Sequence, residues 1–196
     1  MGDQTMMLNL PGAGERVAGL IAADLVVASP RPDRERTYAV DTRDSVSPVF
    51  RLTVIEAIDR IRDADGELRI AAVANSGSLL CALWAGATGR PFWNVLVDGR
   101  RTRGFGRNVE PAEGVRGRKF VLVDNHARTG TSLRTAMGII QSHGGFIASA
   151  MVFTAGDRVD FDPPLYVALP HNLIVDQLSK ARPRGPQKVR PGADTL

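Results

Sequence analysis

Asp124 and the run Thr129-Gly130-Thr131-Ser132 are the residues in this chain whose types and spacing could do chemistry together. Three hydroxyls around a glycine offer short donors and a backbone that can turn tightly. If a helix starts at such a run, its first N–H groups and its dipole add positive potential, and the result is an anion cradle. A carboxylate a few residues before the cradle accepts hydrogen bonds, which suits sugar hydroxyls. The ligand implied is a phosphorylated sugar.

The flanking sequence supplies the elements that would hold these groups. Phe120 to Val123 is apolar and short, which predicts a buried strand with Asp124 and Asn125 following at its carboxyl end. Ser132–Ser142 predicts a helix with Leu133, Met137, Ile139 and Ile140 on its apolar side. Upstream, Leu68-Arg-Ile-Ala-Ala-Val-Ala reads as a strand, followed by the turn Asn75-Ser-Gly-Ser and a helix over 79–87. Further strands are predicted over 91–97, 146–154 and 165–169, and a last helix over 172–180. Strands alternating with helices predict a doubly wound α/β fold with a mainly parallel sheet and flanking helices. In such sheets ligands sit at the carboxyl ends of the strands, where Asn75, Asp98 and Asp124 all fall. Before this alternation, residues 13–26 predict a helix, 37–41 a short extended piece, and Ser47-Pro48 the start of a helix running to about Arg62.

The chain has 196 residues, 43% hydrophobic and 23% charged, which suits one globular domain with a sizeable core. We read residues 1–180 as that domain, with 1–45 as a small N-terminal hood. Residues 181–196 form a basic tail rich in Pro and Gly, expected to be disordered. No apolar run approaches the roughly 18 residues that span a bilayer, and no secretory signal is seen, so the cytoplasm is the expected compartment. Cys81 is alone and no Cys/His cluster suggests zinc. The net charge is +4 and the pI about 9.8, with Lys119, Lys180 and Lys188 the only lysines. The basic tail lacks interleaved aromatic residues, so nucleic acid is not the expected partner.

The stretch VLVDNHARTGTSL resembles the binding motif for 5-phosphoribosyl 1-pyrophosphate (PRPP) in the type I phosphoribosyltransferases: an apolar strand, two acidic residues, then a Thr-Gly loop. Asn125 stands in place of the second acid. Residues 36–155 carry the resemblance, and within the family it is to orotate phosphoribosyltransferase-like members. Ala74-Asn-Ser-Gly-Ser occupies the place of the family's pyrophosphate loop. Residues 97–107 resemble the mobile loop of the orotate enzymes, with Arg100 and Arg103 matching two lysines, Gly106 matching a glycine, and Phe105 where a histidine belongs.

The resemblance implies a transferase that moves ribose 5-phosphate from PRPP to a nitrogenous base and releases pyrophosphate. It implies that Thr129, Gly130, Thr131 and Ser132 bind the 5-phosphate, that Asp124 holds the ribose hydroxyls, and that Asn75, Ser76 and Gly77 bind pyrophosphate. Arg100 and Arg103 would close over the leaving group. Asn125, Ala127 and Arg128 complete the substrate-binding set, and Arg128 replaces a small hydroxyl residue that touches the base. A guanidinium there can grip a carboxylate with two hydrogen bonds, or equally block the orotate pose. Magnesium is expected, held mainly through PRPP. So is a homodimer in which loop 98–118, with its several glycines, is mobile and reaches the neighbouring site. The departures at Asn125, Phe105 and Arg128 indicate a divergent member acting on orotate or an unusual base. Two alternatives stand beside this. One is a non-catalytic sensor of PRPP or a nucleotide that controls nucleic acid or a protein partner. The other is a sugar-phosphate enzyme outside the family.

Overall fold

The computed structural model of the protein describes residues 5–28, 38–40, 47–63, 67–97, 108–111, 113–156 and 159–181, the side chain of Asp63 excepted. A seven-stranded sheet runs through it in the order β1-β9-β8-β7-β4-β5-β6. The strands are β1 (Thr5–Met7), β4 (Arg69–Ala74), β5 (Trp93–Leu96), β6 (Val109–Glu110), β7 (Lys119–Ala127), β8 (Phe146–Ala155) and β9 (Leu165–Val167). All neighbours are parallel except β5 and β6. A separate antiparallel pair joins β2 (Val26–Ala28) to β3 (Tyr38–Val40). The helices are α1 (Ala13–Ala22), α2 (Pro48–Asp63), α3 (Ser76–Thr88), α4 (Thr131–Ser142) and α5 (His171–Lys180). This is the doubly wound, mainly parallel α/β architecture that the alternation predicts. Among the described residues no helix is long and apolar enough to cross a membrane.

Two apolar layers hold the helices to the sheet. On one face Val121 and Val123 of β7 pack with Leu80, Cys81 and Trp84 of α3 and with Phe50, Val54 and Ile58 of α2. On the other face Phe120 and Leu122 pack with Leu133, Ala136 and Ile140 of α4. The central strands are buried on both sides, so their sequences are almost continuously apolar, as parallel strands require.

Several boundaries differ from the sequence reading. The strand expected to stop at Val123 continues to Ala127, because β8 pairs with it as far as Ala155. Asp124 and Asn125 therefore lie within β7. The helix expected from residue 79 begins at Ser76, so Ser76 and Gly77 sit in its first turn. The helix expected over 13–26 ends at Ala22, and Val26 opens β2 instead. Residues 5–7, for which no element was expected, add β1 to the sheet edge. The polar segment 98–118 is pinned along part of its length. Val109 pairs with Val95, Val109 and Val115 are fully buried, and the Trp93 indole N–H donates to the Glu113 carbonyl at 3.3 Å. Residues 98–107, with Arg100, Arg103, Phe105 and Gly106, lie outside the described residues, as do 182–196 of the tail.

Candidate active site

Adjacent strands β4 and β7 each end in a helix N-terminus, α3 and α4, on the same carboxyl edge of the sheet. Asp124 lies between them and is 6% exposed. The Ser76 hydroxyl, at the start of α3, donates to Asp124 Oδ1 at 2.7 Å. The Asn125 backbone N–H donates to the same oxygen at 2.7 Å. Burial pushes the Asp124 carboxyl above its ordinary pKa, and these two hydrogen bonds pull it back down. The first turn of α3 can come this close because of Gly77. A methyl group there would overlap the Val123 carbonyl oxygen and stand 3.3 Å from Asp124 Cα.

Beyond Asp124 opens a cleft of about 420 Å³ lined by Asp124 and residues 126–133. Its rim is the predicted Thr-Gly-Thr-Ser run. Gly130 is the N-cap of α4 with φ +79°, a left-handed conformation that other residues adopt at a cost. Gly130, as N-cap, offers α4 no side-chain hydrogen bond. The first N–H groups of α4, which have no partner within the helix, are thus available to an anion. Thr129 Oγ1 and Thr131 Oγ1 lie 3.0 Å apart. Asn75 likewise caps α3 without a side-chain hydrogen bond, and its peptide bond to Ala74 is cis.

The structure thus gathers Asp124, Ala127, Arg128, Thr129, Gly130, Thr131 and Ser132 on one cleft and fastens Ser76 to its floor. Asn75 and Ser76 are exposed beside it, while Gly77 is buried and serves the close approach. Asn125 does not line the cleft. Its side chain is buried, and its Oδ1 has no hydrogen-bond partner among the described residues. Successive residues of a strand alternate in direction, and Asn125 follows Asp124 directly.

Two residues absent from the sequence reading belong to this region. His126 lines the cleft two residues after Asp124, the spacing that repeats a strand face. Its Nδ1 is 2.8 Å from Thr154 Oγ1, and its ring meets Tyr38 edge-on at 6.1 Å. Arg134, in the first turn of α4, contacts the rim loop from outside the cleft. A cation at a helix N-terminus opposes the helix dipole, and that anomaly was the available signal. Among the described residues no three His, Cys, Asp or Glu side chains cluster as a metal cage. Cys81 is buried close to Asp124; burial and that carboxylate both hold its thiol protonated, so it is no nucleophile.

Sheet order, crossover helices and the strand–carboxylate–loop–helix cleft define the type I phosphoribosyltransferase fold. Solved structures agree. A phosphoribosyltransferase from Corynebacterium diphtheriae superposes with a TM-score of 0.64 at 18% identity, covering 83% of this chain and 98% of that one. The orotate phosphoribosyltransferase of Mycobacterium tuberculosis H37Rv, in complex with PRPP, superposes with a TM-score of 0.62 at 19% identity, covering 86% and 99%. At these identities the likeness is one of fold. In sequence, the chain is 33% identical over 117 residues to an orotate phosphoribosyltransferase of Sulfurisphaera tokodaii. That match spans 59% of this chain and 58% of the relative. No family model matches the chain. In fold the chain is similar to the type I phosphoribosyltransferases, and over part of its sequence to the orotate phosphoribosyltransferases.

Proposed function

We propose that the protein transfers ribose 5-phosphate from PRPP to a nitrogenous base and releases pyrophosphate. The observation that carries this reading is the position of Asp124, a buried carboxylate between two helix N-termini at the floor of a cleft rimmed by hydroxyls. One N-terminus, α4 with Thr129 to Ser132, takes the 5-phosphate. The other, α3 with Asn75 and Ser76, takes the pyrophosphate. Asp124 accepts hydrogen bonds from the ribose hydroxyls between them. The C1–oxygen bond breaks with its electron pair leaving on pyrophosphate, and the acceptor nitrogen bonds to the cationic C1. A carboxylate held in a dry site favours that developing charge more strongly than one in water. Fixing both phosphates supplies the positioning.

Asp124 is the one carboxylate lining the cleft among the described residues. That donor set fits a magnesium ion whose other ligands are substrate oxygens. When bound, the ion neutralises charge on the leaving pyrophosphate. We assign Arg128, which is exposed and lines the cleft, to an acidic acceptor. The sequence resemblance alone assigns Arg100 and Arg103 to the leaving group and supports a homodimer.

The test has two stages. Thermal unfolding is followed with PRPP and magnesium, where ligand binding raises the melting temperature with concentration. Pyrophosphate release is then measured against a panel of bases and base-like acids. A flat melting temperature at millimolar PRPP refutes the reading. Binding without release from any acceptor supports a sensor instead.

A further inference from the structure

We propose that Arg134 is a positioning residue for the phosphate cradle, turning the acceptor groups of the rim loop away from the cleft so that donors face it. This deepens the function proposed above and rests on it. Arg134 is not among the residues that line the cleft. Its Nη1 donates to the Thr129 carbonyl at 3.2 Å, and its Nη2 donates to Thr131 Oγ1 at 3.2 Å. Nη1 also donates to the carbonyl and, at 3.1 Å, to the carboxylate of Asp160.

An anion in the cradle is repelled by any carbonyl or hydroxyl lone pair aimed at it. The rim loop has two such groups close together, the Thr129 carbonyl and the Thr131 oxygen, and Arg134 engages both. The two threonine hydroxyls share one hydrogen bond, so one of their two hydrogens remains. With the guanidinium on the acceptor side of Thr131, that hydrogen turns toward the cleft as a polarised donor. Gly130 completes the arrangement. A methyl group there would overlap the Asp160 carbonyl oxygen, so the loop lies flat against the segment that Arg134 also grips. This explains a cation in a helix turn whose dipole disfavours it. The Asp160 carboxylate is 94% exposed and contributes little as a counter-ion.

The experiment is a double-mutant cycle on the affinity for ribose 5-phosphate, measured by calorimetry with wild type, Arg134→Gln, Thr131→Val and the double variant. Arg134→Gln should weaken binding about tenfold, the scale of a charge-assisted hydrogen bond. In the Thr131→Val background the same change should cost much less, since its target is gone. The ratio of wild-type to variant affinity should hardly move with added salt, because orientation of a hydroxyl is not screened as a distant charge is. Arg134→Lys, which keeps one donor, should recover part of the loss and serves if the glutamine variant does not fold. Additive losses, or a ratio that collapses in salt, would mean that Arg134 acts as a bare charge and overturn the proposal. Wild-type protein that fails to bind ribose 5-phosphate would sink the proposed function as well, whereas binding by wild type with no loss in the variant sinks the positioning role alone.

Discussion

Gly77→Ala and Gly86→Ala make the same chemical change in the same helix and should have opposite effects. Gly86 is exposed with nothing within 4 Å of an added methyl, so alanine there should stabilise by about 1 kcal/mol through helix propensity. At Gly77 the methyl overlaps the Val123 carbonyl oxygen and lies 3.1 Å from the carbonyl carbon. That carbonyl belongs to β7, which is paired to β4 on one side and β8 on the other, so α3 must retreat. Overpacking of this kind costs roughly 1–3 kcal/mol. Retreat also stretches the Ser76–Asp124 hydrogen bond from 2.7 Å, and losing a hydrogen bond to a buried charge costs about 1.5–3 kcal/mol. Less the propensity gain, the net is about 3 kcal/mol of destabilisation, or roughly 6–12 °C in melting temperature for a chain of this size. Circular dichroism melts of the two variants beside wild type measure it. If Gly77→Ala melts within about 2 °C of Gly86→Ala, less than one kcal/mol separates them and the close approach of α3 to β7 is not what fixes Ser76 on Asp124.

Asp124→Asn should abolish turnover while raising stability at neutral pH, since the amide oxygen still accepts from Ser76 and Asn125 without a buried charge. The sign follows from the raised carboxyl pKa. The folded protein holds that proton more tightly than the unfolded chain, so the charge destabilises at high pH. The gap between wild type and variant should close as pH falls through the folded-state pKa toward the ordinary 3.8, as acid titration of the melts will measure. Asp124→Ala should lower kcat far more than Asn125→Ala, because Asn125 does not line the cleft; equal effects on kcat would contradict the site geometry. Gly130→Ala should raise the KM for PRPP and lower stability by about 1–3 kcal/mol, from the positive φ and the overlap with Asp160, with steady-state kinetics and melts as the readouts. Single-turnover kinetics of Arg100→Ala and Arg103→Ala should lose rate at nearly constant PRPP affinity; unchanged rates would remove both from the chemistry.

What could be read from sequence was local. The strand, the carboxylate and the Thr-Gly-Thr rim lie within fourteen residues, and their periodicity and turn chemistry do not depend on the rest of the chain. The length of β7 was hidden because Asp, Asn and His are poor strand formers, and pairing with β8 overrides that preference. Asn-Ser-Gly-Ser has the composition of a turn, yet Ser76 and Gly77 are helical, and the glycine answers to the Val123 carbonyl rather than to a turn. β1 gave no signal: its three residues are all exposed and alternate nothing. His126 has partners distant in sequence, Thr154 and Tyr38, and so gave no local signal, whereas Arg134 holds Thr129 and Thr131 close by and was marked only by a cation standing in the first turn of a helix.

The pairing of β1 with β9 bears on how the chain is made. Thr5 sits beside Leu165, and α1 packs near α5, so segments far apart in sequence dock against each other. Closing a loop of that length adds little to the equilibrium cost, since the entropy grows only with the logarithm of length. Its effect is on time. Contacts so far apart in sequence slow folding, and β1 has no partner until β9 has been made and has joined β8. Until β1 then docks, the outer edge of β9 is open to pairing with another chain. A fusion at the N-terminus that delays β1 should therefore lower the soluble yield more than one of equal size at the C-terminus.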